Sequence, residues 1–157
     1  METIPSSLQP RYQALLQLLR AADTLWNASR ILFERWDLSP SQFNILNLLH
    51  LNPEGSTQSD LGRQLVMHRS NVTGLVDRLE KRGLVRRTEV AGDRRSYNVT
   101  LTAPGRDIMA AILPLYYEGA IRVWQDVPEK RIQSLLSDLH TVAQKAESIA
   151  RDMSNRA

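Results

Sequence analysis

The sequence predicts a mainly α-helical protein carrying one small two-stranded β-wing, and three observations predict it. Long stretches near both ends repeat apolar residues at spacings of three and four, the period of an amphipathic helix. One central stretch alternates instead, with Tyr97, Val99 and Leu101 set against Asn98, Thr100 and Thr102, the period of a half-buried strand. The segment from Leu61 to Arg106 holds ten of the twenty Lys and Arg residues and four acids, a net +6 in 46 residues against −3 for the remainder. A local positive field on a helix and a hairpin suits a polyanion, and DNA is the common one.

A chain of 157 residues with 42% apolar content is expected to form a single protomer with its own core. It has no Cys, which removes disulfides, thiolate metal sites and thiol-based sensing. No apolar run is long enough to span a bilayer, and no signal pattern opens the chain, so the expected location is the cytoplasm.

Residues 1–9 read as a loose arm. From Pro10 to Trp36 the residues Tyr12, Leu15, Leu16, Leu19, Ala22, Trp26, Ser29, Phe33 and Trp36 form a helical stripe. A helix of that length must bury its stripe, and in so small a chain a second subunit is an expected cover. Ser39-Pro40-Ser41-Gln42 is a helix start, with a Ser cap, Pro at the first position and Gln at the third. Phe43, Leu46 and Leu49 or His50 form that helix's inner face. Asn52-Pro53-Glu54-Gly55 ends it.

Thr57-x-x-Asp60 reads as a second capping box, with Leu61 and Leu65 packing inward. Val72, Leu75, Val76 and Leu79 then follow a 3–1–3 spacing that defines one face of a helix ended by Gly83, since Gly accepts a left-handed cap easily. The opposite face carries Arg69, Ser70, Asn71, Thr73, Asp77, Arg78, Lys81 and Arg82. A helix of about 14 residues is roughly 20 Å long, and the major groove admits one. Arg69, Ser70, Asn71 and Thr73, near its N-terminal end, are the candidate base-reading residues. His68, Arg78 and the helix start at Thr57 are the candidate phosphate contacts. Strands are expected over Leu84–Val90 and Tyr97–Thr102, joined by an Ala91–Ser96 loop. Two arginines in a loop cannot pack a core, whereas Arg94 or Arg95 can enter a narrow minor groove. Asp93 is expected to orient one of them.

Helix in one groove and loop in the next describes a winged helix-turn-helix. The run NVTGLVDRLEKRGLVRR followed by GDRRSYNVTLTAPG resembles the MarR family of bacterial transcription regulators, most closely over residues 57–106. The resemblance implies a homodimer, a pseudo-palindromic operator and a repressor released by a small ligand. His68 departs from the family, which often has Ser or Thr as the cap there, and Val66-Met67 stands where a Gly is frequent. The expected organisation is one protomer over 1–157, a DNA-binding lobe over 38–103, and dimerisation helices over 9–36 and 104–154.

After the wing, Thr102 is expected to cap a helix with Pro104 in its first turn and a stripe of Ile108, Ile112, Leu115 and Tyr116. Pro114 predicts a kink or break. Asp126-Val127-Pro128-Glu129 reads as a capping box for a last helix with Ile132, Leu135, Leu136, Leu139, Val142, Ala143, Ala146, Ile149, Ala150 and Met153 on one stripe.

No catalytic constellation is present: no phosphate-binding glycine loop, no nucleophile elbow and no paired His at i, i+4. His50, His68 and His140 fall on three different expected helices, which gives no metal site and no cofactor. Trp36, His50 and Tyr116 are candidates to line a pocket for a small aromatic ligand. The rival readings are a winged-helix module that binds another protein, and an activator without ligand response.

Overall fold

The computed structural model describes residues 9–65, 67, 69–90 and 93–154, without the side chains of Arg69, Asp93, Arg94 and Arg95. The expected N-terminal arm therefore lies almost wholly outside the described residues. The order of elements is α1 (Gln9–Phe33), a 3₁₀ turn (Glu34–Trp36), α2 (Pro40–Leu51), β1 (Ser56–Thr57), α3 (Gln58–Gln64), α4 (Arg69–Lys81), β2 (Val85–Val90), β3 (Asp93–Leu101), α5 (Ala103–Trp124) and α6 (Glu129–Ser154). The chain forms two compact units, one ending at Pro114 and one beginning at Leu115.

The core of the first unit is built from local patterns. Phe43, Ile45, Leu46 and Leu49 of α2 are buried, and Phe43 stacks on Phe33 with ring centroids 4.1 Å apart. His50 is exposed, so Leu49 completes the inner face. The Ser39 box forms as its residues predict: Gln42 N–H donates to Ser39 Oγ at 3.2 Å, and Ser39 N–H donates to Gln42 Oε1 at 2.8 Å. In α4 the 3–1–3 set Val72, Leu75, Val76 and Leu79 is buried, and Gly83 ends the helix at φ 69°.

The sheet is larger than the expected two-stranded wing. It has three antiparallel strands in the order β1-β3-β2. Ser56 and Thr57 pair with Val99 and Asn98, so Thr57 serves both as strand and as helix cap. Gly55 makes this approach possible. It stands at φ 90°, and a Cβ there would lie 2.5 Å from the Val99 carbonyl oxygen. The hairpin is also longer than expected. β3 begins at Asp93, which pairs with Val90 after a register shift at Glu89, so the backbone of Arg94 and Arg95 belongs to a strand rather than to a loop tip. Ala91 and Gly92 lie outside the described residues. Val99 and Leu101 are buried, but Tyr97, at the outer end of the alternation, is exposed.

α5 buries a face that only partly coincides with its expected stripe. Its buried residues are Gly105, Met109, Ile112 and Leu113, not the stripe through Ile108, Leu115 and Tyr116. The reason is the entry geometry. Thr102 Oγ accepts from Gly105 N–H at 3.1 Å and donates to Gly83 O at 2.6 Å, which turns the Gly105–Met109 face inward. The expected break at Pro114 does not occur, since the residue lies inside the helix. That residue is exposed, so water can take the carbonyl that proline leaves without a donor.

In the second unit α6 has no buried residue. Leu136, Val142, Ile149 and Met153 stand open along one side. The helix starts at Glu129, with the Pro128 carbonyl accepting from Arg131 and Ile132; Asp126 lies two residues ahead of that cap position, so the expected box is not the start. In the first unit α1 is similar. Its single buried residue is Phe33, while Leu15, Leu19 and Trp26 of the expected stripe are exposed.

Candidate nucleic-acid interface

The exposed face of α4 follows from its buried one. With Val72, Leu75, Val76 and Leu79 turned inward, Ser70, Asn71, Arg78 and Lys81 are exposed. Thr73 is half-buried, and so is Gly74, one turn below Asn71. A Cβ at Gly74 would meet only the end of the Arg78 side chain, at 3.7 Å. Asn71, Gly74 and Arg78 therefore share one strip of helix surface, with a gap at the glycine where another surface can come close. His68 and the side chain of Arg69 lie outside the described residues.

A second strip of α4 is occupied by the protein itself. Arg87 of β2, with its side chain only 19% exposed, places Nη2 at 2.5 Å from Asp77 Oδ1 and Nη1 at 2.8 Å from Glu80 Oε2. Glu80 Oε1 also accepts from the Arg87 backbone N–H at 2.9 Å. The Gln58 amide completes the set. With its oxygen toward the guanidinium, the orientation its neighbours require, it accepts from Arg87 Nη2 at 3.0 Å and Nε at 2.9 Å, and its nitrogen donates to Thr73 Oγ1 at 3.1 Å. Residues of α3, α4 and β2 are thus tied at one guanidinium, and both acids of the helix are neutralised on the side away from its open strip. Sequence reasoning missed Arg87 and Gln58 as site residues. Asp77 and Glu80 at i, i+3, with an arginine shortly beyond the helix stop, were a visible signal for Arg87; nothing in the sequence marks Gln58.

The local charge is consequently less free than a count suggests. Arg63 pairs with Asp60, Arg82 donates to the Trp36 and Asp37 carbonyls, and Arg106 donates to the Leu101 carbonyl. Among the described side chains of the basic segment, Arg78, Lys81 and Arg86 are left exposed on the surface, with Arg86 Nε donating to Thr100 Oγ1 at 3.2 Å across the hairpin.

At the start of α3, Thr57 Oγ1 accepts from Asp60 N–H at 3.2 Å and donates to Asp60 Oδ2 at 2.6 Å. The carboxylate returns mainly to the Thr57 hydroxyl and, as the smallest contribution, to the Thr57 backbone N–H. The Thr57 hydroxyl, and after it the Arg63 guanidinium, hold the Asp60 carboxyl below its ordinary value. A folded-state pKa below the unfolded one adds stability above about pH 4, and that stability is lost as pH falls through the folded value. Wild type should therefore be more stable than Asp60→Asn near neutral pH, and the gap should narrow in acid. A gap in denaturation midpoint that does not change with pH would contradict it. The carboxylate is 38% exposed, so solvent screening keeps the effect small.

An open polar hollow of about 480 Å³ lies beside this start, lined by residues including Asn52, Ser56, Thr57, Asp60, Arg63 and Asn98. None of the candidate ligand residues lines it. Trp36 is half-buried and His50 exposed in the first unit, and Tyr116 belongs to the second. The side chains of Asp93, Arg94 and Arg95 lie outside the described residues. Among the described residues no helix is long and apolar enough to cross a membrane, and no three His, Asp or Glu residues gather as a metal site.

A sequence profile of the MarR family matches residues 36–96. An uncharacterized helix-turn-helix transcriptional regulator of Bacillus subtilis, YfiV, is 32% identical over 121 residues, covering 74% of this chain and 72% of that protein. The transcriptional repressor MprA of Escherichia coli is 32% identical over 93 residues, 55% of this chain and only 53% of its own length. Among solved structures, the M. tuberculosis transcriptional regulator MOSR in complex with DNA superposes with a TM-score of 0.69 at 27% identity, covering 85% of this chain and 97% of that one.

Proposed function

The chain belongs to the MarR family of DNA-binding transcriptional regulators, and from that premise we propose that it is a cytoplasmic homodimer that reads a pseudo-palindromic operator through α4 and represses transcription until a small ligand binds. The observation that carries the DNA-reading part is the division of α4 into two strips. One is occupied by the Arg87 network, and the other, with Asn71, Gly74 and Arg78, is open. The repressor sense is supported by the likeness to MprA.

In this reading Arg69, Ser70, Asn71 and Thr73 face base edges. His68, Arg78 and the start of α3 at Thr57 hold phosphates, and Arg94 or Arg95 enters the minor groove with Asp93 orienting it. The organisation is a 38–103 DNA lobe with dimerisation helices over 9–36 and 104–154. It is supported by the exposed stripes of α1 and α6, which a second copy would cover.

Asn71→Ala should cost about 1–3 kcal/mol on the operator and relax its sequence preference, while Arg78→Ala should weaken binding to all duplexes about equally. Equal losses for both variants on specific and random DNA would reject that division of roles. The operator is found by selection from random duplexes with a salt titration. The expected product is an inverted repeat with half-sites about one turn, ~34 Å, apart and a steep salt slope. No enrichment, or binding insensitive to salt, would favour a protein partner. For the ligand, Trp36, His50 and Tyr116 are the proposed contacts. Tryptophan fluorescence that no aromatic acid quenches would count against them.

A further inference from the structure

Two helices of the first unit end in the same way. At the end of α4, Gly83 N–H donates to Glu80 O at 2.8 Å and Leu84 N–H donates to Leu79 O at 3.0 Å. At the end of α1 and its 3₁₀ turn, Asp37 N–H donates to Glu34 O at 3.0 Å and Leu38 N–H donates to Phe33 O at 3.2 Å. Each is a paired closure over one left-handed residue, followed by a buried leucine. The left-handed residue is Gly83 in the first and Asp37, at φ 52°, in the second. A non-glycine residue in that conformation is strained, and it persists where its surroundings hold it.

Arg82 is what holds it. Its Nη2 donates to Trp36 O at 2.7 Å, and its Nη1 donates to Asp37 O. The last carbonyls of a helix lack partners within it, and these two receive theirs from a side chain at the end of another helix. The Asp37 carboxylate, 3.8 Å away and 97% exposed, adds little in water. The link is thus a planar fork across two fixed carbonyls, a geometry that lysine cannot reproduce.

We propose that Arg82 is a positioning residue that locks the C-terminal end of α4 to the strained Trp36–Asp37 turn, so that a displacement of this turn is passed to the reading helix. The inference rests on α4 being that helix. It gives α1 a mechanical connection to α4 through a residue that touches no base.

The test uses the full-length protein and Arg82→Lys, which keeps the charge and loses the fork. Native-state hydrogen exchange should speed up by about tenfold at the Asp37 and Leu38 amides, on the far side of the clamp. Preference for a selected duplex over a random one should fall by about tenfold with the salt slope unchanged. Exchange at wild-type rates would overturn the proposal. So would a Lys variant that binds as wild type while Arg82→Met lowers the salt slope by about 0.9, the mark of a phosphate contact. Arg82→Gln replaces Lys in both arms if the Lys variant is too unstable. If the wild-type protein selects no duplex, the DNA reading fails, and the exchange arm still decides whether the two ends are joined.

Discussion

Gly105→Ala should destabilise the protein by about 3 kcal/mol, although alanine is the better helix former. A Cβ at Gly105 would lie 2.0 Å from the Leu84 carbonyl oxygen and 3.3 Å from a Leu101 methyl. That carbonyl is not free to retreat, because it accepts from Thr102 N–H at 3.1 Å, and Thr102 also bonds Gly83 O. The junction between α4, the sheet and α5 would have to open. Gly119 lies in the same helix with nothing within 4 Å of its would-be Cβ. Gly119→Ala should therefore have the opposite sign and gain about 0.5–1 kcal/mol. For a chain of this size the two variants should straddle wild type, with Gly105→Ala melting roughly 6–12 °C lower. Equal melting temperatures would show that the α5 entry yields easily.

Arg87→Met should reduce DNA binding by about 30- to 100-fold on specific and random duplexes alike, and lower stability by about 2 kcal/mol. The loss comes from what is left behind. Asp77 and Glu80 would stay on α4 without their guanidinium, two uncompensated negative charges on the helix proposed to meet the phosphate backbone. The Gln58 amide would also lose its acceptor role toward Arg87, loosening the tie between α3 and β2 while its bond to Thr73 of α4 remains. Adding Asp77→Asn and Glu80→Gln to Arg87→Met should restore part of the affinity. A triple variant that binds no better than Arg87→Met alone would mean that position, not charge, is what Arg87 supplies.

The parts of this fold that the sequence reveals are those set by neighbours within a few residues. The Ser39–Gln42 box, the buried set of α4 and the Gly83 stop each depend on spacings of one to four, and each forms as its residues predict. What pattern reading misses depends on partners far along the chain. Ser56 and Thr57 become a strand because Val99 and Asn98 are there to pair with. Asp93 to Ser96 read as a loop from Gly92 and Asp93, yet pairing with β2 extends the strand to Asp93. Which apolar face of α5 turns inward, with Met109, Ile112 and Leu113, depends on the close approach at Gly105, a contact with Leu84 that no local spacing shows. At the interface, the open strip of α4 was legible as polar residues opposite an apolar face. The Arg87 network was not, because Gln58 and Arg87 meet across 29 positions of sequence.

The division of the chain at Pro114 has a genetic consequence. α4, the proposed reading helix, lies in one compact unit with α1, and α6, with its exposed stripe, lies in the other. A lesion confined to α4 would then spare the surface through which copies pair in the proposed assembly. Such an allele, expressed beside the normal one, would be dominant, because each defective chain captures a sound one in a mixed pair with a single working half. An allele that loses α6 should be closer to recessive, because its product keeps only part of the proposed pairing surface and captures fewer normal chains.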